Sequence, residues 1–248
     1  MNNVDFDKLF NSFSSLKIGV IGDVMLDTYW WGKVDRISPE APVPVVAVSK
    51  KEQRIGGAGN VALNLVSLGV NVHTVSIVGD DDEGNQLIDL LKEQKINADY
   101  ILKSSERITT NKIRIISRNQ HMMRLDAEVT NELSANESEN IISAFKKYIE
   151  VEKPNLVILE DYNKGVLTEN VIVEIIKICK LHNIITAVDP KRKNFFAYKG
   201  VNIFKPNLQE IKEALNIISN DVSENALHQM HVALKEKIGA SNFVYNII

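Results

Sequence analysis

The stretch RIGGAGNVALNLVSLG, residues 54–69, sets Gly56, Gly57 and Gly59 within four positions, directly ahead of an apolar pattern of helical period. Glycines remove Cβ atoms where a ligand must approach backbone. A helix that starts there has free N–H groups to offer oxygen atoms. Three ligands meet this description: a dinucleotide, a nucleotide phosphate, or the hydroxyls of a sugar. For the first, Gly57-Ala58-Gly59-Asn60-Val61-Ala62 fits G-x-G-x-x-A, and the acids Asp80, Asp81 and Asp82 follow the next expected strand. Against it, that fingerprint should leave a strand directly, yet the polar KKEQR separates VVAVS from the glycines. The first strand of the sheet is also the earlier KIGVIG. For a polyol, Asn60 supplies both a donor and an acceptor, and Asp27 can accept hydrogen bonds from neighbouring hydroxyls.

These residues need elements to position them. LKIGVIGD (16–23) reads as a buried strand, VVAVS as a second, and VHTVSIVG (72–79) as a third, followed by a helix over DDEGNQLIDLLKEQ with acids at its positive end. NLVILED, IITAVDP and VNIFKP are short apolar strands ending in polar residues, and helices start near Thr168 and Asn207. The alternation predicts an α/β fold with a doubly wound, mostly parallel sheet flanked by helices. ITTNKIRIIS (108–117) and HMMRLD (121–126) break the pattern: three residues between them predict a hairpin. With VPVVAVS they predict a small β-sheet, so residues 1–248 are expected to form one domain with insertions at about 36–50 and 99–126. An amphipathic helix is expected to open the chain, on Val4, Phe6, Leu9, Phe10 and Phe13.

In an open parallel sheet, ligands bind outside the carboxyl ends of the strands. That rule selects Asp23 and Asp27, then Glu160 and Asp161, then Asp189, and finally Lys205 and Asn207. The formal charge of −3 argues against a nucleic-acid partner. No apolar run approaches the roughly 20 residues that span a bilayer, and no secretory signal is visible, so a cytoplasmic protein is expected. The single cysteine, Cys179, lies in an apolar helical run and reads as a buried thiol. His228 and His231, one turn beyond Glu224, read as an exposed helix face and not as a metal site. Trp30 and Trp31 read as packing under the small sheet.

GDVMLDTYWWGKVDRISPEAPVPVV, GGAGNVALNLVSLG, SRNQHMMRLD, EDYNKG, VDPKRKNF and KPNLQE occur in this order. Together they resemble the ribokinase-like sugar kinases, and more narrowly the D-glycero-β-D-manno-heptose-7-phosphate kinases of ADP-heptose synthesis. The resemblance implies transfer of the ATP γ-phosphoryl to the anomeric hydroxyl of a heptose 7-phosphate, giving a 1,7-bisphosphate on the way to lipopolysaccharide core sugar. It implies that Asp27, Gly56, Gly57 and Asn60 hold the sugar, with Glu160 and Asp161 near it. Asp189, Asn207 and Glu210 would lie toward ATP and Mg²⁺, with Glu210 on the first helical turn, within reach of a hydrated ion. The small sheet would be a lid and a homodimer interface. A sugar phosphate also needs cations; Arg118, Arg124, Lys164, Lys191, Arg192 and Lys193 are the candidates.

The resemblance also implies a G-A-G-D motif, whose amides stabilise the transferred group and whose aspartate is the base. No such tetrapeptide occurs in the 248 residues. The sequence therefore assigns no catalytic base, and a sugar-phosphate-binding or dimerisation module without phosphoryl transfer stands as the alternative.

Overall fold

The computed structural model describes residues 5–219 and 221–246. Val4 of the expected first helix and the last two residues of the chain lie outside them. In chain order the elements are α1 (Phe6–Ser12), β1 (Lys17–Gly22), β2 (Val24–Ile37), β3 (Pro44–Gly57), α2 (Ala58–Ser67), β4 (Asn71–Gly79), α3 (Asp82–Glu93) and β5 (Asn97–Ser104). Then come β6 (Asn111–Ser117), β7 (Gln120–Ala127), α4 (Ala135–Glu152), β8 (Leu156–Glu160), α5 (Glu169–Leu181) and β9 (Ile185–Asp189). The last are β10 (Ile203–Phe204), α6 (Leu208–Ala214), α7 (Glu224–Ile238) and β11 (Asn242–Phe243).

Seven strands form a sheet in the order β11-β10-β9-β8-β1-β4-β5, and every pairing in it is parallel. Apolar side chains cover both faces. Alternation along β1 sends Ile18 and Val20 into a core with Ala58, Ala62, Leu87 and Leu91, from α2 and α3. Ile21 goes to the opposite core, with Phe145 of α4, Ile172 of α5 and Leu234 of α7. Gly19 faces that side too, where a Cβ would stand 2.6 Å from the Tyr148 hydroxyl. Cys179 is buried in the same core, and burial pushes its thiol up to about 12.

The small sheet has the order β3-β2-β6-β7. Its hairpin turn uses Arg118 and Asn119, both at positive φ (49° and 63°), as a two-residue turn of this hand requires. Two expectations change. Residues 99–104 belong to β5 at the edge of the large sheet, so the second insertion begins at β6. The polar KKEQR is not a break: β3 runs through it to Gly57, because β3 is an edge strand whose outward side chains tolerate charge. The glycines therefore do leave a strand directly. That strand is antiparallel to β2 in the small sheet, not a strand of the parallel sheet from which a dinucleotide fingerprint departs.

Three elements are not foreseen from the sequence, β2, β5 and α4. β2 was hidden by its polar, aromatic composition. α4 carries a signal that was there to be used: Ser134 and Glu137 form a reciprocal capping box ahead of 18 helical residues.

Candidate functional site

Asp23 is the single residue between β1 and β2, and its carboxylate is buried. It accepts backbone N–H bonds from Tyr162 at 2.8 Å, Lys164 at 3.1 Å and Val166 at 3.1 Å. Burial pushes this carboxyl up, against the lowering effect of those N–H groups. Asp23 therefore fixes the 162–166 loop and offers nothing to a ligand.

Four residues on, Asp27 opens into a cavity of about 400 Å³ lined by Met25, Tyr29, Arg54, Gly56, Gly57, Asn60, Lys112, Arg114 and Tyr162, among others. Asp27, Gly56, Gly57 and Asn60 are thus brought together. The small sheet explains how. Across β3-β2-β6 the Cα register aligns Arg54, Asp27 and Lys112 in one row, and Glu52, Tyr29 and Arg114 in the next. Arg114 donates to Asp27 Oδ1 at 2.5 Å. Gly56 is required beside this carboxylate, since a Cβ there would lie 2.4 Å from Asp27 Oδ2. Gly57 adopts φ 61°, and a Cβ on it would meet the Asp23 carbonyl at 2.3 Å.

The cations of this cavity are Arg54, Lys112 and Arg114, which the sequence did not single out. The signal was alternation: Lys112 and Arg114 share one face of β6, which becomes the cavity face only once β6 is paired parallel to β2. Arg118 instead sits exposed in the hairpin turn, outside the cavity lining. Arg124 is exposed on β7 and pairs with Asp126 at 2.9 Å. Lys164 points its ammonium at Glu128, 2.7 Å away. Lys193 pairs with Glu132, and Arg192 lies 3.9 Å from Glu213.

A second group gathers at the carboxyl ends of β8, β9 and β10. Cα register aligns Gly22, Glu160 and Asp189 across β1, β8 and β9. Burial, with Asp189 beside it, raises the Glu160 carboxyl from 4.5 to about 7. Asp189 pairs with Lys205 at 2.6 Å and with Lys191 at 3.8 Å. Lys191 also donates to Glu210. Asn207 caps α6 by accepting from the Glu210 N–H at 2.8 Å, while Glu210 accepts from the Asn207 N–H at 2.9 Å. Asp161, expected near a sugar, is buried with both oxygens engaged: Tyr198 donates at 2.8 Å and the Asn163 N–H at 2.8 Å. Neither Glu160 nor Asp161 lines the Asp27 cavity.

Glu210 fits a direct Mg²⁺ ligand poorly, because an N–H and an ammonium already hold its carboxylate. Among the described residues no group of three or more His, Cys, Asp and Glu side chains is placed to hold a metal ion. His231 is not on an exposed face. It lies 2.6 Å from the Tyr245 hydroxyl and edge-on to Phe243, beneath the β11 segment. His228 is exposed. Trp31 stacks on Tyr29 at 6.5 Å, and Lys51 covers Trp30.

Residues 15–241 match the model of the pfkB family carbohydrate kinases, and the chain belongs to that family. Within it, the chain is 43% identical over 218 residues to the bifunctional protein HldE of Aliarcobacter butzleri, covering 88% of this chain and 45% of that protein. It is 41% identical to the bifunctional protein HldE of Campylobacter fetus, covering 88% of this chain and 46% of that one. The chain thus spans about half the length of these curated relatives. Among solved structures, the tetrameric inhibited form of Escherichia coli phosphofructokinase-2 superposes with TM-score 0.69 at 15% identity, over 91% of this chain and 71% of that one. An Arabidopsis thaliana ribokinase complexed with ribose and ATP gives TM-score 0.64 at 14% identity, over 93% of this chain and 71% of that one. These likenesses establish the ribokinase-like fold. No described helix is long and apolar enough to cross a membrane.

Proposed function

We propose that the Asp27 cavity binds a heptose 7-phosphate and that the chain is the sugar-kinase part of an HldE-like protein. That protein would move the γ-phosphoryl of ATP to the anomeric hydroxyl, and the product would be the 1,7-bisphosphate used for lipopolysaccharide core sugar. The observation that carries this reading is the meeting of one carboxylate, Asp27, with Asn60, two Cβ-free positions and three cations in one small cavity. Asp27 and Asn60 suit adjacent hydroxyls, and Gly56 and Gly57 let a ring approach the backbone. Arg54, Lys112 and Arg114 suit a phosphate by charge-assisted bonds, in the role first expected of Arg118. The sugar's identity comes from the RISPEAPVPV and SRNQHMMRLD segments.

ATP would approach Lys191 and Lys205, whose ammonium groups suit its phosphates. Phosphoryl transfer depends mainly on positioning and charge stabilisation, and this chain's own contribution is to hold and orient the acceptor. We assign no step to Mg²⁺ and no base. Residues 1–248 are read as one kinase domain of a cytoplasmic protein, with the small sheet as a lid. The exposed Met123, Leu125, Val48 and Ile37 of that sheet suit a second copy of the chain.

A second reading is favoured by two observations. The buried acid Asp161 is fully hydrogen-bonded, and the sequence holds no G-A-G-D. On that reading the chain binds the sugar phosphate or dimerises without transferring phosphate. Titration of heptose 7-phosphate by calorimetry, alongside ADP release with ATP and Mg²⁺, separates the two. Binding with turnover supports the kinase, binding alone supports the sugar-phosphate-binding module, and no binding refutes both of these and leaves dimerisation, which sedimentation at rising chain concentration tests.

A further inference from the structure

Tyr29 stands on β2, an inner strand of the small sheet, with a guanidinium from each neighbouring strand against its ring. Arg54 of β3 lies with its guanidinium carbon 4.8 Å from the ring centroid, and Arg114 of β6 at 5.3 Å. Two like charges would otherwise separate, and each has a carboxylate pulling on it. Glu52 holds Arg54 at 2.6 Å, and Asp27 holds Arg114 at 2.5 Å. The ring is itself steadied by its stack on Trp31. A ring face attracts cations through its quadrupole, and it does so without neutralising them. The ring thus holds both guanidiniums without consuming their charge, and an anion competes only with Glu52 and Asp27 for them.

We propose that Tyr29 is a positioning residue that holds Arg54 and Arg114 against its ring in the lining of the Asp27 cavity, as a two-guanidinium receptor for the phosphate of the sugar substrate. Glu52 acts as the competing latch: in the free protein it takes up Arg54, and an entering phosphate must displace it. This rests on the sugar-phosphate reading of the cavity. The phosphate group, not the ring hydroxyls, then feels the loss of Tyr29, so the residue sets preference for phosphorylated over unphosphorylated sugar.

The test is calorimetric titration of heptose 7-phosphate, unphosphorylated heptose and inorganic phosphate into the wild-type chain and into Tyr29→Phe, Tyr29→Leu and Glu52→Gln. A lost pair of cation–π contacts predicts about tenfold weaker heptose 7-phosphate binding for Tyr29→Leu, with unphosphorylated heptose changed less than about threefold. Tyr29→Phe, which keeps the ring, retains affinity. Glu52→Gln, which releases Arg54 and leaves the ring in place, binds phosphate about threefold more tightly by removing a competing charge-assisted bond. Equal affinity of Tyr29→Leu and wild type for the phosphorylated ligand overturns the proposal. So does equal weakening of both sugars, or an unchanged Glu52→Gln should Tyr29→Leu fail to fold. If wild type binds inorganic phosphate but no heptose 7-phosphate, the sugar reading fails alone, and the Tyr29→Leu effect on phosphate still decides the role of Tyr29. If wild type binds neither, both fail.

Discussion

Arg114 Nη1 stands 2.5 Å from Asp27 Oδ1, and the pair joins β6 to β2 in the lining of the polar cavity. Both side chains are about four-fifths covered, so the pair fixes and aims the carboxylate while leaving Oδ2 toward Gly56. Asp27→Asn keeps the shape and removes the charge. Loss of a charged hydrogen bond to a ligand hydroxyl is expected to weaken sugar-phosphate binding about tenfold to a hundredfold. The partly exposed ion pair predicts a stability change of only about 1 kcal/mol. Calorimetry and urea denaturation measure the two numbers separately.

Gly56→Ala tests the same cavity without touching an acid. Its methyl would fall 2.4 Å from Asp27 Oδ2, so the carboxylate must leave its place. Sugar-phosphate affinity is expected to fall at least as far as in Asp27→Asn, and a crystal structure of the variant would show the Asp27–Arg114 distance lengthened.

Asp23→Asn strikes the support rather than the cavity. Three backbone N–H groups converge on this carboxylate, and an amide offers one oxygen in its place. Leaving at least one buried N–H without an acceptor should cost about 1–3 kcal/mol. Equilibrium unfolding gives that figure, and hydrogen exchange should rise at Tyr162, Lys164 and Val166 before it rises elsewhere.

Glu160 makes stability depend on pH. Its folded value of about 7 lies above its ordinary 4.5, so the native state binds the proton more tightly than the unfolded chain. The associated stability is complete below pH 4.5 and is lost as pH rises through 7, by roughly 3 kcal/mol in full. Glu160→Gln should remove this fall. His73 works with the opposite sign. Burial holds its imidazole below 6.5, so stability is lost as pH drops and the unfolded chain takes up the proton. Unfolding free energies from pH 4.5 to 8, in wild type and Glu160→Gln, distinguish the two slopes.

The polar ends of successive parallel strands and the glycine bend were legible in the sequence, because both are local patterns. Asp27, Gly56, Gly57 and Asn60 stood out through them, and the cavity brings those four together. Arg54, Lys112, Arg114 and Tyr29 were not legible as a group. Which side of β6 faces β2's carboxylate depends on pairing between strands more than 80 residues apart, and a one-residue slip would have presented Ile113 and Ile115 instead. Asp161 misled for a related reason. Its place after a strand looked like that of a ligand-facing acid, but Tyr198, 37 residues on, closes over it. The helix over Ala135–Glu152 is legible in the sequence through the Ser134–Glu137 capping box.

Chain crosses between the two sheets at Asp23 and again at Gly57, and the Ala58 N–H bonds the Asp23 carbonyl at 3.0 Å. The two crossings are therefore sewn to each other, not merely adjacent. Strands β2 and β3 must tilt as one plate, carrying the carboxylate of Asp27 and the bare backbone of Gly56 in fixed mutual geometry. An opening of the small sheet pulls on this stitch, and through the Asp23 side chain on the loop behind it.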